Sequence, residues 1–407
     1  MKIINDPVHG FIKIPKGLLL QIVQHPLMQR LTRIRQLGMS SFVYPGAQHT
    51  RFQHSIGAYH LTSEAVHALT QKGIFIFDSE AEAVEAAILM HDIGHGPFSH
   101  VLENTLISGI CHEDISLKMM EQINHDLGGQ LNLALSIFKN EYHKHFLHQL
   151  ISSQLDMDRL DYLNRDSFFT GVQEGVVGGA RILKMLNVIE DELVIDEKGI
   201  YSIENYLTSR RSMYWQVYLH KTVVACEKVL VNLLLRAKYL ANNGVELFCS
   251  PYLRYFIYNN INKDIFEKDS QALYNYAMLD DNDIWSAVKV WANHDDKILS
   301  MLANALINRK QFKVEIHDEI ISEEYIANMQ QRLAERCGVS QEDTKYLYSV
   351  DSVKKNMYDI DGESIKVLSK DGSTEDICKV SDLLNAALLS RQKPKYYLSY
   401  HRAIANE

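Results

Sequence analysis

The ten residues His91–His100, reading His-Asp-Ile-Gly-His-Gly-Pro-Phe-Ser-His, constrain the fold of this chain more than any other stretch. Three histidines and a carboxylate stand among two glycines and a proline, directly after the apolar, alanine-rich segment Ala81–Met90. That segment reads as a buried helix, which Gly94, Gly96 and Pro97 stop just past the His-Asp pair. The pair therefore sits at a helix end in an apolar setting, where burying an ionised carboxylate is costly unless a cation or donors meet it. Imidazole nitrogen and carboxylate oxygen together suit a divalent metal of intermediate hardness, and the glycines let backbone approach a ligand closely. The chain carries its own control: His125-Asp126 lies in the polar stretch Gln122–Gln130 and reads as a surface helix end.

With 407 residues the chain can bury a large core, and 46% hydrophobic with 23% charged residues is the balance of a soluble globular protein. A net charge of −9 argues against an extended nucleic-acid surface, which needs a basic field to displace counterions. Five cysteines, Cys111, Cys226, Cys249, Cys337 and Cys378, show no paired spacing, so a reducing compartment is expected rather than a disulfide framework. No apolar run has signal-peptide or membrane-span character, and a cytoplasmic protein is expected.

Along the chain, Asp6–Gly10 reads as a turn and Phe11–Pro15 as a short strand, together an irregular N-terminal arm. Leu18–Leu37 has helical periodicity and carries Arg30, Arg33 and Arg35, expected on a solvated face. Thr50–Ser55 opens another helix, which brings in His54. Cys111-His112-Glu113-Asp114 begins a further helix with acids suited to its positive end. Leu150–Phe169 is predicted as one helix with Ile151, Leu155, Asp158 and Tyr162 on one face, which Asp166 continues. Asp156, Arg159, Asp161 and Arg165 are expected on its flanks as a surface ion-pair ladder. Gly171, Gly175, Gly178 and Gly179 read as a flexible link, and Asn205–Leu240 as a long helix. Near Gln311 the pattern changes: Phe312–Ile316 and Lys345–Val350 read as strands, Glu323–Cys337 as a helix ending at Gly338, and Ser364–Leu368 with Ile377–Val380 as a hairpin. The expected architecture is mainly α, a helical bundle with a small C-terminal α+β domain. Its divisions are residues 1–45 for the arm and first helix, 46–308 for the helical domain and 309–407 for the tail.

His54, His91, Asp92 and Asp158 all lie on or beside apolar helices and can converge. Two neutral imidazoles and two carboxylates would hold a divalent ion at near-zero net charge, with positions open for water and a phosphate oxygen. The neighbouring His95, His100 and His112 are the side chains best able to exchange protons near neutral pH.

This order of residues resembles the HD superfamily of metal-dependent phosphohydrolases, whose ligands follow the pattern H…HD…D. More narrowly, Asn5–Gly10, Gln29-Arg30-Leu31, Gln36-Leu37-Gly38, Pro45-Gly46-Ala47, Arg51–Ser55, His91–His100 and Asp156–Asp166 are similar to the deoxynucleoside triphosphate triphosphohydrolases related to the SAM-and-HD-domain protein. The resemblance implies a dGTPase-like reaction in which a metal-activated water attacks the α-phosphorus of a dNTP, releasing deoxynucleoside and tripolyphosphate. It implies His54, His91, Asp92 and Asp158 as ligands of one divalent ion (Mg, Mn, Fe, Ni or Zn). His95 with Glu103 and His112 with Glu113 become the catalytic group, and His100 a proton donor to the leaving oxygen. Arg51, Arg159 and Lys221 would meet phosphates, while Gln36, Leu37, Tyr162, Asp166 and Tyr218 would line the sugar and base pocket. Gln24 and Thr32 stand where nucleotide-activated relatives carry an acid and an arginine. A homo-oligomer, dimer or tetramer, is expected by resemblance. The alternatives are another HD-type nucleotidase or phosphodiesterase, or a nucleotide-binding regulator without turnover.

Overall fold

The computed structural model of the protein describes residues 1–98, 101–103, 105–353, 358, 364–384 and 394–405. The chain is mainly helical, with small sheets and a C-terminal α+β region. The N-terminal arm is regular: β1 (Lys2–Asp6) pairs antiparallel with β2 (Gly10–Ile14), Ile4 opposite Ile12. Strand alternation buries Ile12 and Ile14. The Asp6 carboxylate closes the turn by accepting from the N–H groups of Val8 and His9.

The single helix expected over Leu18–Leu37 does not form. Helix α1 (Leu18–Gln24) stops at His25, which takes the extended conformation favoured before Pro26, and after the short helix Pro26–Gln29 the chain tightens into a 3₁₀ turn at Arg30–Arg33. Nor do its arginines share a solvated face. Arg30 is 1% exposed, and its guanidinium donates to the carbonyls of Ile93 and His95, both at 2.8 Å. Arg33 pairs with Asp280 at 2.7 Å.

Helix α2 (Arg51–Gln71) starts in a capping box: Thr50 Oγ1 accepts from the Gln53 N–H while the Gln53 side chain accepts from the Thr50 N–H. It packs against α3 (Asp78–Met90), in which all five residues Ala86–Met90 are fully buried, the pattern of a helix lodged in the core. Helix α4 (His112–Asp126) ends at the control pair, where His125 is 85% exposed. Helix α5 (Met157–Thr170) also packs on α2. It begins only at Met157, because Asp156 caps the Arg159 N–H at 2.7 Å. Ile151 and Leu155 are buried in the preceding turn, so they do not share a helical stripe with Asp158.

The glycine-rich link is packed at Gly175, where a Cβ would lie 2.4 Å from Met213 Sδ, and open at Gly171 and Gly178. It leads through α6 (Gly179–Met185) and α7 (Ile200–Met213) to a π-helical turn at Tyr214–Tyr218, which separates α7 from α8 (Lys221–Asn242). The expected long helix over Asn205–Leu240 is thus two. Helix α9 (Glu323–Cys337) ends as predicted, at Gly338 in the left-handed region with φ 59°.

Two larger sheets, with a short parallel pairing of Ile107–Ser108 and Ile261–Asn262, complete the fold. One has the order β5 (Lys313–His317), β9 (Lys395–Tyr400), β6 (Tyr348–Val353). Strand β6 starts later than Lys345 because Glu342–Tyr346 coils as a 3₁₀ turn. The other sheet joins distant segments: β3 (Leu186–Ile189) pairs with β4 (Glu192–Asp196), which runs parallel to β7 (Lys366–Leu368), itself paired with β8 (Thr374–Asp376). Ile377–Val380, expected as a strand, is one helical turn capped by Asp376.

The predicted surface ladder on α5 is buried. Asp156, Asp161 and Arg165 are all 0% exposed. Arg165 bridges Asp161 (2.8 Å) and Asp6 (2.8 Å), tying α5 to the N-terminal hairpin. Arg165→Met would leave two carboxylates without their cation, and a loss of about 3–5 kcal/mol is expected in urea unfolding. A stability change near zero would show that this charge network is dispensable.

Candidate active site

Three helix ends bring the predicted ligands together. His54 lies in the first turn of α2, His91 caps the C-terminus of α3, and Asp158 occupies the first turn of α5. His54 Nε2 is 3.0 Å from Asp158 Oδ1, 3.3 Å from His91 Nε2 and 3.8 Å from Asp92 Oδ2. His91 Nε2 lies 3.4 Å from Asp158 Oδ1 and 3.6 Å from Asp92 Oδ1.

The far ring nitrogens decide what this cluster can hold. His54 Nδ1 donates to Asp161 Oδ2 at 2.8 Å and His91 Nδ1 to the Ile88 carbonyl at 2.7 Å. With those protons in place, neutral rings turn two Nε2 lone pairs toward each other and toward two carboxylates. That arrangement calls for a proton or a cation at its centre, and the N₂O₂ donor set fits a divalent ion of intermediate hardness. Without metal, a proton meets the need: burial opposes it, but hydrogen bonds to Asp158 and Asp161 push His54 up to about 10. Burial also acts to raise Asp158, yet His91 and His54 hold its carboxyl below the usual range.

Behind His54 stands a set of residues that the sequence reading missed. Asp161 accepts from His54, from His9 Nε2 at 2.6 Å and from Arg165 Nε at 2.8 Å, and Arg165 in turn grips Asp6. The four-residue spacing of Asp161 and Arg165 was a visible signal, but it resembles any surface pair until burial is known.

A second group adjoins the cage. The His95 and His112 rings stack with centroids 3.9 Å apart and 17° between planes. His95 Nε2 is 3.3 Å from Asp92 Oδ1, and His112 Nδ1 is 2.8 Å from Glu103 Oε1. Burial, aided by the Arg51 charge, pushes His95 down to about 3. Burial also opposes protonation of His112, but the hydrogen bond to Glu103 raises it. The two stacked rings thus differ in proton affinity, His112 taking a proton more readily than His95. Gly94 makes this possible: its N–H donates to Ser116 Oγ, which donates to the His91 carbonyl, drawing the loop onto α4. A Cβ there would lie 2.2 Å from Ser116 N and 2.3 Å from the His112 carbonyl oxygen.

A cavity of about 410 Å³ opens over the cage, lined by His91, Asp92, His112, Glu113, Asp158 and Arg159 among others. His148, which the sequence reading did not single out, also lines it. Arg159 is paired with Asp156, and Arg51 Nη1 with Asp92 Oδ2 at 2.6 Å. The remaining pocket residues form their own cluster: Asp166 accepts from Tyr218 at 2.7 Å and contacts His49 at 2.7 Å, while Tyr162 meets Tyr218 edge to face. The Gln36 N–H donates to the His49 carbonyl, its Oε1 is buried without a partner, and half-buried Leu37 follows it. Lys221 is exposed at the start of α8 and forms no ion pair among the described residues. His100 lies outside the described residues.

This arrangement of a His/Asp cage at three helix ends is that of an HD-domain protein, and residues 51–166 match the HD domain and 177–241 the HD associated region. The chain belongs to the HD superfamily of phosphohydrolases. It is 33% identical over 402 residues to the uncharacterized protein YwfO of Bacillus subtilis, covering 95% of this chain and 89% of that one. It also superimposes on the crystal structure of a phosphohydrolase from Bacteroides thetaiotaomicron with a TM-score of 0.96 and 61% identity, over 98% of this chain and all of that chain. The deoxynucleoside triphosphate triphosphohydrolase SAMHD1 homolog of Dictyostelium discoideum is 32% identical over 250 residues, 57% of this chain and 48% of that protein. The chain therefore spans about half the length of that relative. No helix among the described residues is long and apolar enough to cross a membrane.

Two outcomes test this geometry. Gly94→Ala should lower the melting temperature by several degrees, because the neighbours of the missing Cβ are backbone atoms that cannot give way. In metal-stripped protein, the raised His54 pKa contributes stability that is complete below about 6.5 and lost as pH rises through about 10. Thermal melts should accordingly fall across that interval, and adding divalent metal should flatten the decline.

Proposed function

We propose that the protein hydrolyses deoxynucleoside triphosphates to deoxynucleoside and tripolyphosphate. The observation that carries this reading is the pairing of the His54–His91–Asp158 cluster, with Asp92 beside it, and the separate His95–Glu103–His112 group, which reach one cavity through His91, Asp92, Asp158 and His112. The fold family and the SAMHD1 relatives, named as deoxynucleoside triphosphate triphosphohydrolases, support it. His54, His91, Asp92 and Asp158 would hold a divalent cation, which would supply Lewis acidity toward phosphate oxygen and toward the attacking water.

The chain's own side chains do the rest. His112, whose affinity for a proton Glu103 raises, is placed to give one in the reaction, and His95, which burial keeps neutral, stacks on its ring and holds it in position. Glu113 lines the cavity next to His112. Arg159 and Arg51 bring fixed positive charge to the phosphates, with Lys221 as a further phosphate contact. Asp166, held between His49 and Tyr218, offers an acceptor to the sugar, and Tyr162 and Tyr218 give it an aromatic wall that leaves little room for a 2′-hydroxyl. Gln36 and Leu37 are assigned to the sugar and base side of the site, where the unpartnered Gln36 Oε1 would accept from a sugar hydroxyl. The same reading takes the protein as a cytoplasmic homo-oligomer, in keeping with five unpaired cysteines.

Product analysis with Mg²⁺ or Mn²⁺ and each dNTP tests the reaction. Tripolyphosphate with deoxynucleoside is expected, and monophosphate with pyrophosphate would replace this reading with another nucleotide hydrolase. Asp158→Ala should lose bound metal and turnover together. His112→Ala should keep its metal and lose about a hundred- to ten-thousandfold in kcat. A metal-replete, fully active Asp158→Ala protein would overturn the cage.

A further inference from the structure

A cavity of about 940 Å³, larger than the one over the cage, lies further along α2 and α5 and shares no lining residue with it. Helix α6 and the hairpin turn Pro7–His9 close it. Its volume lies in the upper range of small-molecule sites.

Its chemistry is two-sided. Phe168 and Val176 are 58% and 53% exposed at its walls, apolar area that stands to gain from being covered by a flat ring. Of its polar side chains, Asn164 and Ser167 already donate to the Leu160 and Val172 carbonyls. His60 has no hydrogen-bond partner among the described residues, Lys184 is exposed and forms no ion pair among them, and Glu64 is the one carboxylate in the lining. Such a wall suits an anionic group.

His9 connects this space to the cage. Its ring is 5.3 Å from that of His60, and its Nε2 is 2.6 Å from Asp161 Oδ1, whose other oxygen takes the His54 Nδ1 proton at 2.8 Å. We propose that this cavity is a second ligand site, built for a small aromatic anion, and that its occupancy is transmitted to the metal cage through His9, Asp161 and His54. A group seated against His60 and the Pro7–His9 turn bears directly on His9, and any tilt of that ring redistributes the hydrogen bonds that orient His54. The coupling rests on the reading of His54 as a metal ligand; the site itself does not.

The test titrates anilinonaphthalene sulfonate, an aromatic monoanion, into the full-length protein loaded with Co²⁺. One-to-one saturable fluorescence is expected. Lys184→Glu, at an exposed position, should weaken binding by roughly tenfold, and Ala180→Trp, which fills the cavity, should abolish it. The visible absorption of bound Co²⁺ should shift on addition of the probe, and His9→Gln, compared with the parent protein at probe concentrations giving equal occupancy by fluorescence, should lose that shift. Binding indifferent to both Lys184→Glu and Ala180→Trp, or no saturable binding, would overturn the site. Binding that depends on those residues yet leaves the cobalt spectrum unchanged would overturn the coupling. Failure of Co²⁺ to load would sink the cage reading and the coupling with it, and the fluorescence arm would still decide the site.

Discussion

A carboxylate that is fully buried must have its charge met by donors brought to it, and in this protein Asp161 gathers them from three directions. The hairpin turn sends His9, helix α2 sends His54, and Arg165 arrives from the next turn of Asp161's own helix while gripping Asp6 in the hairpin. Desolvating these charges is repaid only if every partner is in place, so the network fixes the relative positions of the hairpin, α2 and α5 together. Close approach is part of the same constraint. A Cβ at Gly57 would fall 2.0 Å from Asp161 Oδ1 and 2.2 Å from Arg165 Nη2, so α2 can meet α5 only with glycine at that point.

The cage inherits its geometry from this arrangement. By holding the His54 Nδ1 proton, Asp161 aims Nε2 at Asp158 and His91, although Asp161 itself is not a member of the cage. The other half is steadied from the N-terminal segment and from α4: Arg30 holds the carbonyls of Ile93 and His95, and Ser116 holds the Gly94 N–H and the His91 carbonyl. His91–Gly94 is thus fastened on both sides, and the two stacked histidines beside it acquire opposite proton affinities from their neighbours alone. Arg51 and burial lower His95, while Glu103 raises His112.

Much of the site was legible in the residues. The apolar run before His91, the Thr50–Gln53 capping box ahead of His54 and the glycines after Asp92 each have local causes that read directly from the chain. Helix α9 likewise ends where Gly338 permits a left-handed residue. Other readings failed where the deciding partner is remote. Arg30 looked like one of three arginines on a wet face, but its partners are carbonyls more than sixty residues away. The pairs around Asp161 and Arg165 had the spacing of a surface ladder, and only the packing of α2 and the hairpin over them made them interior. One reading failed for a local reason: the stripe of Ile151, Leu155 and Asp158 had helical spacing, but the Asp156 cap starts the helix after two of its members.

The sequence by itself determined which donor atoms are present and which helices carry them, because capping, proline geometry and hydrophobic period act within a few residues. The tertiary structure alone decided which charges lose their water, which ring nitrogen of His54 faces the cage, and that β7 adds to the sheet begun by β3 and β4. Desolvation and hydrogen-bond direction are set by neighbours distant in the chain, so they come into being only when the elements pack.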